Sequence, residues 1–381
     1  MRNLFLLSSW VRMRPYADRL RSEEADEAPR STPFEDIYQG DLFDGNLLAT
    51  ATGLRRLLYR LLPGDVALTL AAFISRKRYR VVIAWTDTGA LLFALLLMLR
   101  RTRQPLVAMM FWISRPWKAR LLKLVHGRID RIILWTSAHR DFAVGKLGVP
   151  ASKIAYIPHY VDDRFFRPMP VEGGTDMICS AGREMRDYPT LIAAMRGLDI
   201  RCHIAAGVFR GKLEPTVRAI YRNGPLPENV TVGLLPPDRL RAMYARSRFV
   251  VVPLLPTDSD NGLSVILEAM AMGKAVICSR VEGQRDVIRE GTTGVLVPQG
   301  DPLALRRAIQ YLWNNEDVAR TMGKEGRLHI ERHHSLDWFA GQVRAVIDGA
   351  ALDYEHAAGA AGRPSGASEP AACTNVLREQ Q

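Results

Sequence analysis

One acidic residue, Glu268, lies in a segment that is otherwise uncharged from Ser264 to Gly273. The segment belongs to the stretch TDSDNGLSVILEAMAMGKAVICS, which runs from a polar loop into apolar residues. Because an unpaired carboxylate is costly to bury, Glu268 should either take up a proton or accept hydrogen bonds from nearby donors. Two neighbouring hydroxyl groups of a ligand would supply such donors.

The residues before Glu268 predict a binding site for an anion. RFVVVPLL has the composition of a buried strand and PTDSDNG that of the loop after it, and a helix is expected from Leu263 onward. Free backbone N–H groups at the start of a helix bind anions, and Gly262 would let a ligand approach the backbone closely. Glu268 lies about one turn into this helix, on the side of Ser264. An anion site beside a carboxylate that accepts from a diol suits a sugar nucleotide.

This part of the sequence resembles the donor site of the retaining, nucleotide-sugar-dependent glycosyltransferases of family 4 (glycosyl transferases group 1). DNGLSVILEAMAMGKAVICSRVEGQRDVIREGTTGVLVPQGDPLAL is similar to their motif of an acid, seven residues and a Glu that opens EAMA.GKPVI. GVPASKIAYIPHYVDDRFFRP and AGREMRDYPTLIAAM are similar to two further family segments. The resemblance covers roughly residues 80–347. It implies the α/β GT-B fold, in which two doubly wound Rossmann-like domains face a cleft and a C-terminal helix returns to the first domain.

The resemblance also implies roles for residues on the donor side. Glu268 matches the acid that holds the ribose hydroxyls, and Asp260 matches the first acid of the motif, where the family has the longer Glu. Arg183 matches the arginine that neutralises the diphosphate, and Arg186 is the candidate for a second cation, usually a lysine. These four residues are the catalytic candidates. The donor-binding candidates are the turn that faces the sugar and phosphate, which is Asn261, Gly262, Leu263 and Ser264, and the segment beside the nucleotide base, which is Gly233 and Leu234.

The first domain departs from the family pattern where it would face the acceptor. The Gly-Gly loop that commonly follows the first strand is absent from LFLLSSWVRMRP, and Phe111, Trp112 and Ile113 stand where a histidine is usual. Two acceptor-side candidates remain. Asp87 could bind an acceptor hydroxyl or cap the following helix, and Trp112 could stack on a sugar ring or fill the core. His159 replaces a frequent asparagine and is interpreted as structural.

The composition is that of a soluble globular protein with two domains. The chain has 381 residues, of which 48% are hydrophobic and 24% charged. Its four cysteines are scattered, which indicates a reducing compartment without a disulfide framework or a metal site. The longest apolar run, residues 89–99, is too short to span a bilayer, and the N-terminal apolar stretch is too short for a secretory signal. We therefore expect a cytoplasmic protein that needs no cofactor besides its nucleotide-diphosphate sugar substrate.

All of the net charge of +12 comes from residues 1–168, which hold 27 Lys and Arg against 15 Asp and Glu. This excess suits an anionic partner, and no nucleic-acid-binding signature accompanies it. We therefore expect a glycan or lipid-linked acceptor and peripheral contact with an anionic membrane, but no nucleic acid. RKRYR, RRTR and RPWKARLLK are candidate membrane contacts, the last as an interfacial helix. An ordinary solvated basic face is the alternative interpretation.

Strand-like and helix-like segments alternate through both halves, which predicts two parallel sheets covered by helices. We expect an acceptor-binding domain at residues 1–168, a donor-binding domain at 169–334, a C-terminal helix at 335–356 and a disordered tail at 357–381. Residues 10–45 receive no assigned element. The absence of GxGxxG argues against a nicotinamide-binding domain.

The sequence predicts an enzyme that transfers a sugar from a nucleotide-sugar donor with retention of anomeric configuration, in the synthesis of a cell-surface polysaccharide or glycolipid. The departures in the first domain leave open a non-catalytic or partner-dependent binding subunit of the same fold. A nucleotide-sugar epimerase of similar fold is a third alternative, which would need acid and base residues that the sequence does not reveal.

Overall fold

A computed structural model describes residues 1–361 apart from positions 210, 211, 214, 223 and 285. Its framework is two six-stranded parallel sheets, one in each half of the chain. The first sheet contains β1 (Asn3–Leu6), β2 (Gly40–Phe43), β3 (Val82–Ala84), β4 (Leu106–Met110), β5 (Arg131–Leu134) and β6 (Ile154–Tyr156). The second contains β7 (Met177–Ala181), β8 (Arg201–Ala205), β11 (Val230–Val232), β12 (Ser247–Val252), β13 (Ala275–Ser279) and β14 (Gly294–Val297). The short strands β9 (Val208–Phe209) and β10 (Lys212–Leu213) pair antiparallel.

Helices cover both faces of each sheet. Those of the first half are α1 (Tyr16–Glu24), α2 (Pro33–Asp36), α3 (Gly45–Ala49), α4 (Gly53–Arg60), α5 (Gly64–Ser75), α6 (Asp87–Leu99), α7 (Pro116–Val125) and α8 (Ser137–Gly145). Those of the second half are α9 (Tyr188–Met195), α10 (Pro215–Ile220), α11 (Pro237–Arg246), α12 (Leu263–Ala271), α13 (Pro302–Asn314), α14 (Glu316–His333) and α15 (Leu336–Ala361). Because helices cover both faces, strands such as β4 are apolar and buried throughout.

The strand orders are those of doubly wound sheets. The first sheet runs β2-β1-β3-β4-β5-β6 and the second β11-β8-β7-β12-β13-β14, with parallel neighbours throughout. In such sheets ligands bind beyond the carboxyl ends of the strands. The predicted GT-B architecture, with two Rossmann-like domains facing a cleft, is therefore confirmed.

The C-terminal helix returns to the first domain, as predicted. Phe339, Val343 and Ile347 of α15 are buried in one cluster with Ile83 and Val107 of the first sheet. Arg80 of the first domain forms an ion pair of 2.8 Å with Asp348 of this helix. The helix was expected at 335–356 and is found at Leu336–Ala361. The rest of the predicted tail, 362–381, lies outside the described residues.

Two regions of the first domain differ from the sequence interpretation. Residues 10–45, which received no element, contain α1, α2 and the edge strand β2. The RPWKARLLK segment forms α7, but Leu122 is fully buried and Leu121 packs against the same core. The two leucines of the predicted interfacial face therefore pack towards the core, whereas Trp117 and Leu124 of α7 are 50% and 60% exposed, and interfacial contact by this helix stays a prediction. Within the described residues, the helices all lack the combination of length and apolar character that crossing a bilayer requires.

Candidate functional site

The carboxyl ends of the two sheets meet across a cleft. Trp112, which follows β4, donates from Nε1 to Oδ1 of Asp258 in the second domain at 3.0 Å. Ser259 Oγ donates to the carbonyl oxygen of Phe111 at 3.2 Å. A cavity of about 530 Å³ lies here between the domains, and Trp112, Arg183 and Asn261 are among its lining residues. The structure thus brings residues predicted for the donor and acceptor sides to one cavity.

Helix α12 begins at the predicted turn. Its N-cap, Gly262, has a φ of +96°, and a Cβ at this position would lie 3.1 Å from the Leu254 side chain. Glycine is therefore favoured here both by backbone conformation and by space. Leu263 is buried in the core and Ser264 is exposed in the first turn. The start of α12, with its positive dipole end, is accessible where an anion was predicted.

Glu268 projects from α12 one turn beyond Ser264 and accepts a hydrogen bond of 2.8 Å from the hydroxyl of Tyr244. Burial raises the pKa of Glu268 to about 7, although the Tyr244 hydrogen bond and the charge of Arg186 act in the opposite direction. The residue as a whole is half-buried. A ligand whose hydroxyls donate to the ionised carboxylate would offset the cost of burying this charge.

Asp260 and Asn261 shape the loop before α12. Asp260 accepts from the Ser259 hydroxyl at 2.9 Å, and burial together with the nearby acids Asp87 and Glu184 raises its pKa to about 6. Asn261 is buried and its Oδ1 accepts from Thr257 at 2.8 Å. Its own side chain is thus engaged in holding the loop.

The two predicted arginines occupy different environments. Arg183 is half-buried and lines the interdomain cavity. Arg186 is 4% exposed, and its guanidinium donates to the carbonyls of Ala181 at 2.9 Å and Glu184 at 2.8 Å. Gly182, with a φ of +102°, leaves the space that this guanidinium fills. Arg186, the candidate for the second cation, thus lies inside the loop and close enough to Glu268 to influence the pKa of that carboxyl.

Gly233 and Leu234 follow β11 at the same edge of the second sheet. The Gly233 carbonyl accepts from Nε2 of His203 at 3.3 Å, while the Leu234 side chain is exposed and lies over Gly207. A flat aromatic ring could pack against the exposed Leu234 side chain and the backbone of the neighbouring glycines, which carry no side chain. The proximity of Gly233 and Leu234 to the nucleotide base stays a prediction.

Asp87 is held by the first domain itself. The carboxylate accepts from the backbone N–H groups of Phe111 at 2.7 Å and Trp112 at 3.3 Å, and it pairs with Lys118 of α7. The adjoining Thr86, not Asp87, caps α6 by accepting from Gly89 N–H. The alternative of Asp87 as a helix cap was therefore wrong, and its observed contacts brace the end of β4.

Trp112 has a half-buried ring that is neither free nor part of the core. The guanidinium of Arg115 lies 3.9 Å from the centroid of this ring, and Trp117, which is 50% exposed, lines the same cavity. Stacking on one face by Arg115 leaves a rigid aromatic and cationic wall on the first-domain side of the cavity. Arg115 and Trp117 were predicted only as membrane contacts, and spacing alone did not distinguish the two surfaces.

Other residues of the site were missed or interpreted differently. Tyr244 is distant in sequence from Glu268 and carries no motif, so no local signal pointed to it. His139 at the start of α8 is buried, and its Nε2 has no hydrogen-bond partner among the described residues. His159, interpreted as structural, stacks on Trp135 at 4.1 Å between ring centroids and is hydrogen bonded through Nε2 to Ser264 Oγ at 3.3 Å. It therefore links the first domain to the start of α12.

Comparisons with known proteins agree with this arrangement. Residues 31–165 match the family described as Glycosyltransferase Family 4, and residues 185–315 match Glycosyl transferases group 1. Both halves of the chain thus match glycosyltransferase domains, in the order of a GT-B glycosyltransferase.

Curated relatives match parts of the chain. A D-inositol 3-phosphate glycosyltransferase of Segniliparus rotundus is 26% identical over 246 residues, which are 58% of this chain and 54% of that protein. The capsular polysaccharide biosynthesis glycosyltransferase CapM of Staphylococcus aureus is 34% identical over 82 residues, 22% of each chain. The matches therefore span about half or less of the length of these relatives.

Solved structures match nearly the whole chain in fold. Sucrose-phosphate synthase of Thermosynechococcus elongatus has a TM-score of 0.70 at 18% identity, and the match covers 94% of this chain and 100% of that one. Anabaena HepE in complex with UDP and glucose has a TM-score of 0.68 at 15% identity, covering 92% and 100%. At these identities the likeness establishes the fold.

Proposed function

We propose that this chain is a retaining glycosyltransferase that moves a sugar from a nucleotide-diphosphate sugar to a glycan or lipid-linked acceptor. The observation that carries the proposal is the arrangement on α12. The half-buried Glu268 lies one turn from the helix start at the exposed Ser264, and Arg183 lines the cavity between the domains. This arrangement offers one group for a diol and two sources of positive charge for a diphosphate.

In the proposed reaction the bond between the anomeric carbon and the diphosphate breaks, a bond from that carbon to an acceptor hydroxyl oxygen forms, and the proton of that hydroxyl passes to the departing diphosphate. Negative charge grows on the departing diphosphate, so the helix start and Arg183 stabilise the transition state more than the ground state. Glu268 holds the ribose and Leu234 lies against the base. Since protein groups supply the positive charge, the proposal includes the nucleotide-diphosphate sugar as substrate and no metal or other cofactor.

We assign Arg186 a positioning role, because its guanidinium donates to backbone carbonyls of the loop that carries Arg183, the proposed ligand of the diphosphate. Asp260 is proposed to face the donor sugar. Its pKa of about 6 would let it exchange a proton near neutral pH, which suits an acid next to reacting hydroxyls.

On the acceptor side we propose that the Trp112 wall, rather than Asp87, faces the incoming group. The carboxylate of Asp87 already pairs with Lys118 and two backbone amides, so a hydroxyl would have to displace one of these. Arg115 and Trp117 favour an acceptor that has an anionic group beside a ring. The capsular polysaccharide relative supports a role in cell-surface polysaccharide or glycolipid synthesis, for which we place the protein in the cytoplasm at the inner face of the membrane.

The proposal is tested by screening the purified protein against UDP- and GDP-sugars. A binding donor should raise the melting temperature by mass action, and hydrolysis of that donor without acceptor should release the nucleoside diphosphate. NMR of a transfer product reports whether the anomeric configuration is kept. If no nucleotide sugar raises the melting temperature or is hydrolysed, the proposed donor site is wrong.

A further inference from the structure

Helix α4 exposes an apolar stripe that nothing in the described chain covers. Leu54, Leu57, Leu58 and Leu61 are exposed by 82%, 58%, 41% and 74%. Their spacing of i, i+3, i+4 and i+7 places all four on one side of a helix. A stripe of this kind normally faces the core of a globular protein, but here it faces solvent.

The stripe is unusual on this protein. Among the described residues, no other stretch of eight exposes more than two large apolar side chains. Scattered exposed apolar residues are ordinary, whereas a contiguous group marks an interaction surface. The four leucines therefore require a partner.

The charge around the stripe indicates the chemistry of that partner. Arg55, Arg56 and Arg60 of α4 are exposed, and residues 45–64 contain no acid. At 100° per residue, Arg55 and Arg60 fall on opposite edges of the leucine stripe. Their aliphatic stems can lie along the stripe while the guanidinium groups reach outward. Apolar residues with basic residues on both edges are the pattern of a helix that lies in a membrane interface.

We propose that α4, with Leu61, is the element by which this protein docks on an anionic phospholipid surface. The inference deepens the proposed function, since a lipid-linked acceptor has to be met at such a surface. Eight residues of helix are about 12 Å long, so α4 would lie flat in the head-group layer with its leucines directed inward. It would attach the first domain, which carries the acceptor side of the cleft.

Other occupants fit the surface less well. Pairing of α4 with α4 of a second copy would cover the leucines but bring six arginines together without an intervening acid. Of the three basic segments predicted from sequence, only RPWKARLLK contains leucines, and of these Leu122 is buried in the core and Leu121 packs against it. Helix α7 also exposes basic residues beside large apolar ones, but these are only two, Trp117 and Leu124, against the four leucines of the α4 stripe.

The test is cosedimentation with phospholipid vesicles. One variant changes the four leucines of α4 to Gln, and a second changes Arg55, Arg56 and Arg60 to Gln. The matched control changes Leu303 and Leu328 to Gln, which are leucines exposed by 65% and 42% on α13 and α14 of the second domain. Vesicles contain phosphatidylcholine alone or with about 30 mol % phosphatidylserine.

The wild type and the control should bind the anionic vesicles and release them as salt rises. The partition coefficient for anionic vesicles should fall at least about tenfold in the leucine variant. In the arginine variant it should fall about fivefold or more for each charge removed. Equal binding by the wild type and the leucine variant would overturn the proposal. So would equal binding to neutral vesicles, or a wild-type dimer that the leucine variant abolishes.

Donor hydrolysis in solution separates this inference from the proposed function. All variants should melt as the wild type does and hydrolyse the same nucleotide sugar at the same rate, because the changed side chains are all exposed and none of the proposed donor residues lies in α4. Loss of vesicle binding with intact hydrolysis supports docking by α4. If vesicle binding depends on α4 but no nucleotide sugar is hydrolysed, the docking proposal is supported and the proposed glycosyltransferase function is rejected.

Discussion

Replacement of Glu268 by Gln should stabilise the free protein while weakening donor binding. Burial raises the pKa of Glu268 to about 7 from its ordinary 4.5, so the folded protein holds this proton more tightly than the unfolded chain does. The difference corresponds to about 3 kcal/mol of stability. That stability is fully present below pH 4.5, is lost as the pH rises from there to about 7, and stays absent above it. Glutamine has no charge to bury, and its amide oxygen can still accept from Tyr244.

Unfolding of the ligand-free proteins at several pH values measures this effect. Near pH 4.5 the free energies of unfolding of Glu268→Gln and wild type should differ by less than about 1 kcal/mol. Near pH 8 the free energy of unfolding of the variant should be larger by about 3 kcal/mol. Glu325→Gln, at an exposed acid of α14, is the control and should show no such trend. A variant that is less stable than wild type at pH 8, or a stability gap that ignores pH, would refute the burial argument.

Donor binding should change in the opposite sense. The ribose hydroxyls would lose a charged acceptor, which is worth about 1.5–3 kcal/mol, or about 10- to 100-fold in the dissociation constant. Wild-type affinity should also fall as the pH drops below about 7, whereas the affinity of the variant should not. Calorimetric titration with the nucleoside diphosphate checks both statements. Unchanged affinity in the variant would remove Glu268 from the ribose.

Three further substitutions test separate parts of the site. Arg183→Ala should lower the turnover number more than it raises the donor dissociation constant, as single-turnover and binding measurements would show; losses in binding alone would contradict this. Gly262→Ala should lower the free energy of unfolding by about 1–2 kcal/mol, because the backbone φ is positive here and the new Cβ would lie against the Leu254 side chain. Trp112→Phe removes the Nε1 bond to Asp258 across the cleft and should raise the acceptor KM with donor affinity unchanged, whereas a drop in donor affinity would place Trp112 on the donor side.

The sheets were predictable because most of their strands are buried on both faces and form continuous apolar runs. The strand β2 was missed because it is an edge strand of four residues, three of them only partly buried. Helices α1 and α2 were missed because they are rich in charged residues and lack a broad apolar face.

The donor loop was predictable since its residues are contiguous, so turn, helix start and carboxylate could be interpreted together. Tyr244 and Lys118 could not be assigned in this way, because only packing of separate helices brings them to Glu268 and Asp87. The position of Arg186 depends on the absence of a Cβ at Gly182, which leaves room for the guanidinium to turn back onto backbone carbonyls. A spacing pattern contains no information on that direction.

The packing of α15 has a consequence for biosynthesis. The first domain is discontinuous in the chain, because one face of its sheet is covered by residues from 336 onward. Until those residues emerge from the ribosome, Ile83 and Val107 lack the part of their apolar cover that α15 supplies, although Phe5 can already pack against Phe34 and Tyr38. The second domain, by contrast, is complete within a continuous stretch and can fold while synthesis proceeds. The domain that is translated first is therefore the one that finishes folding last. The sheet face that α15 later covers is the main site at which a chaperone can bind the nascent chain.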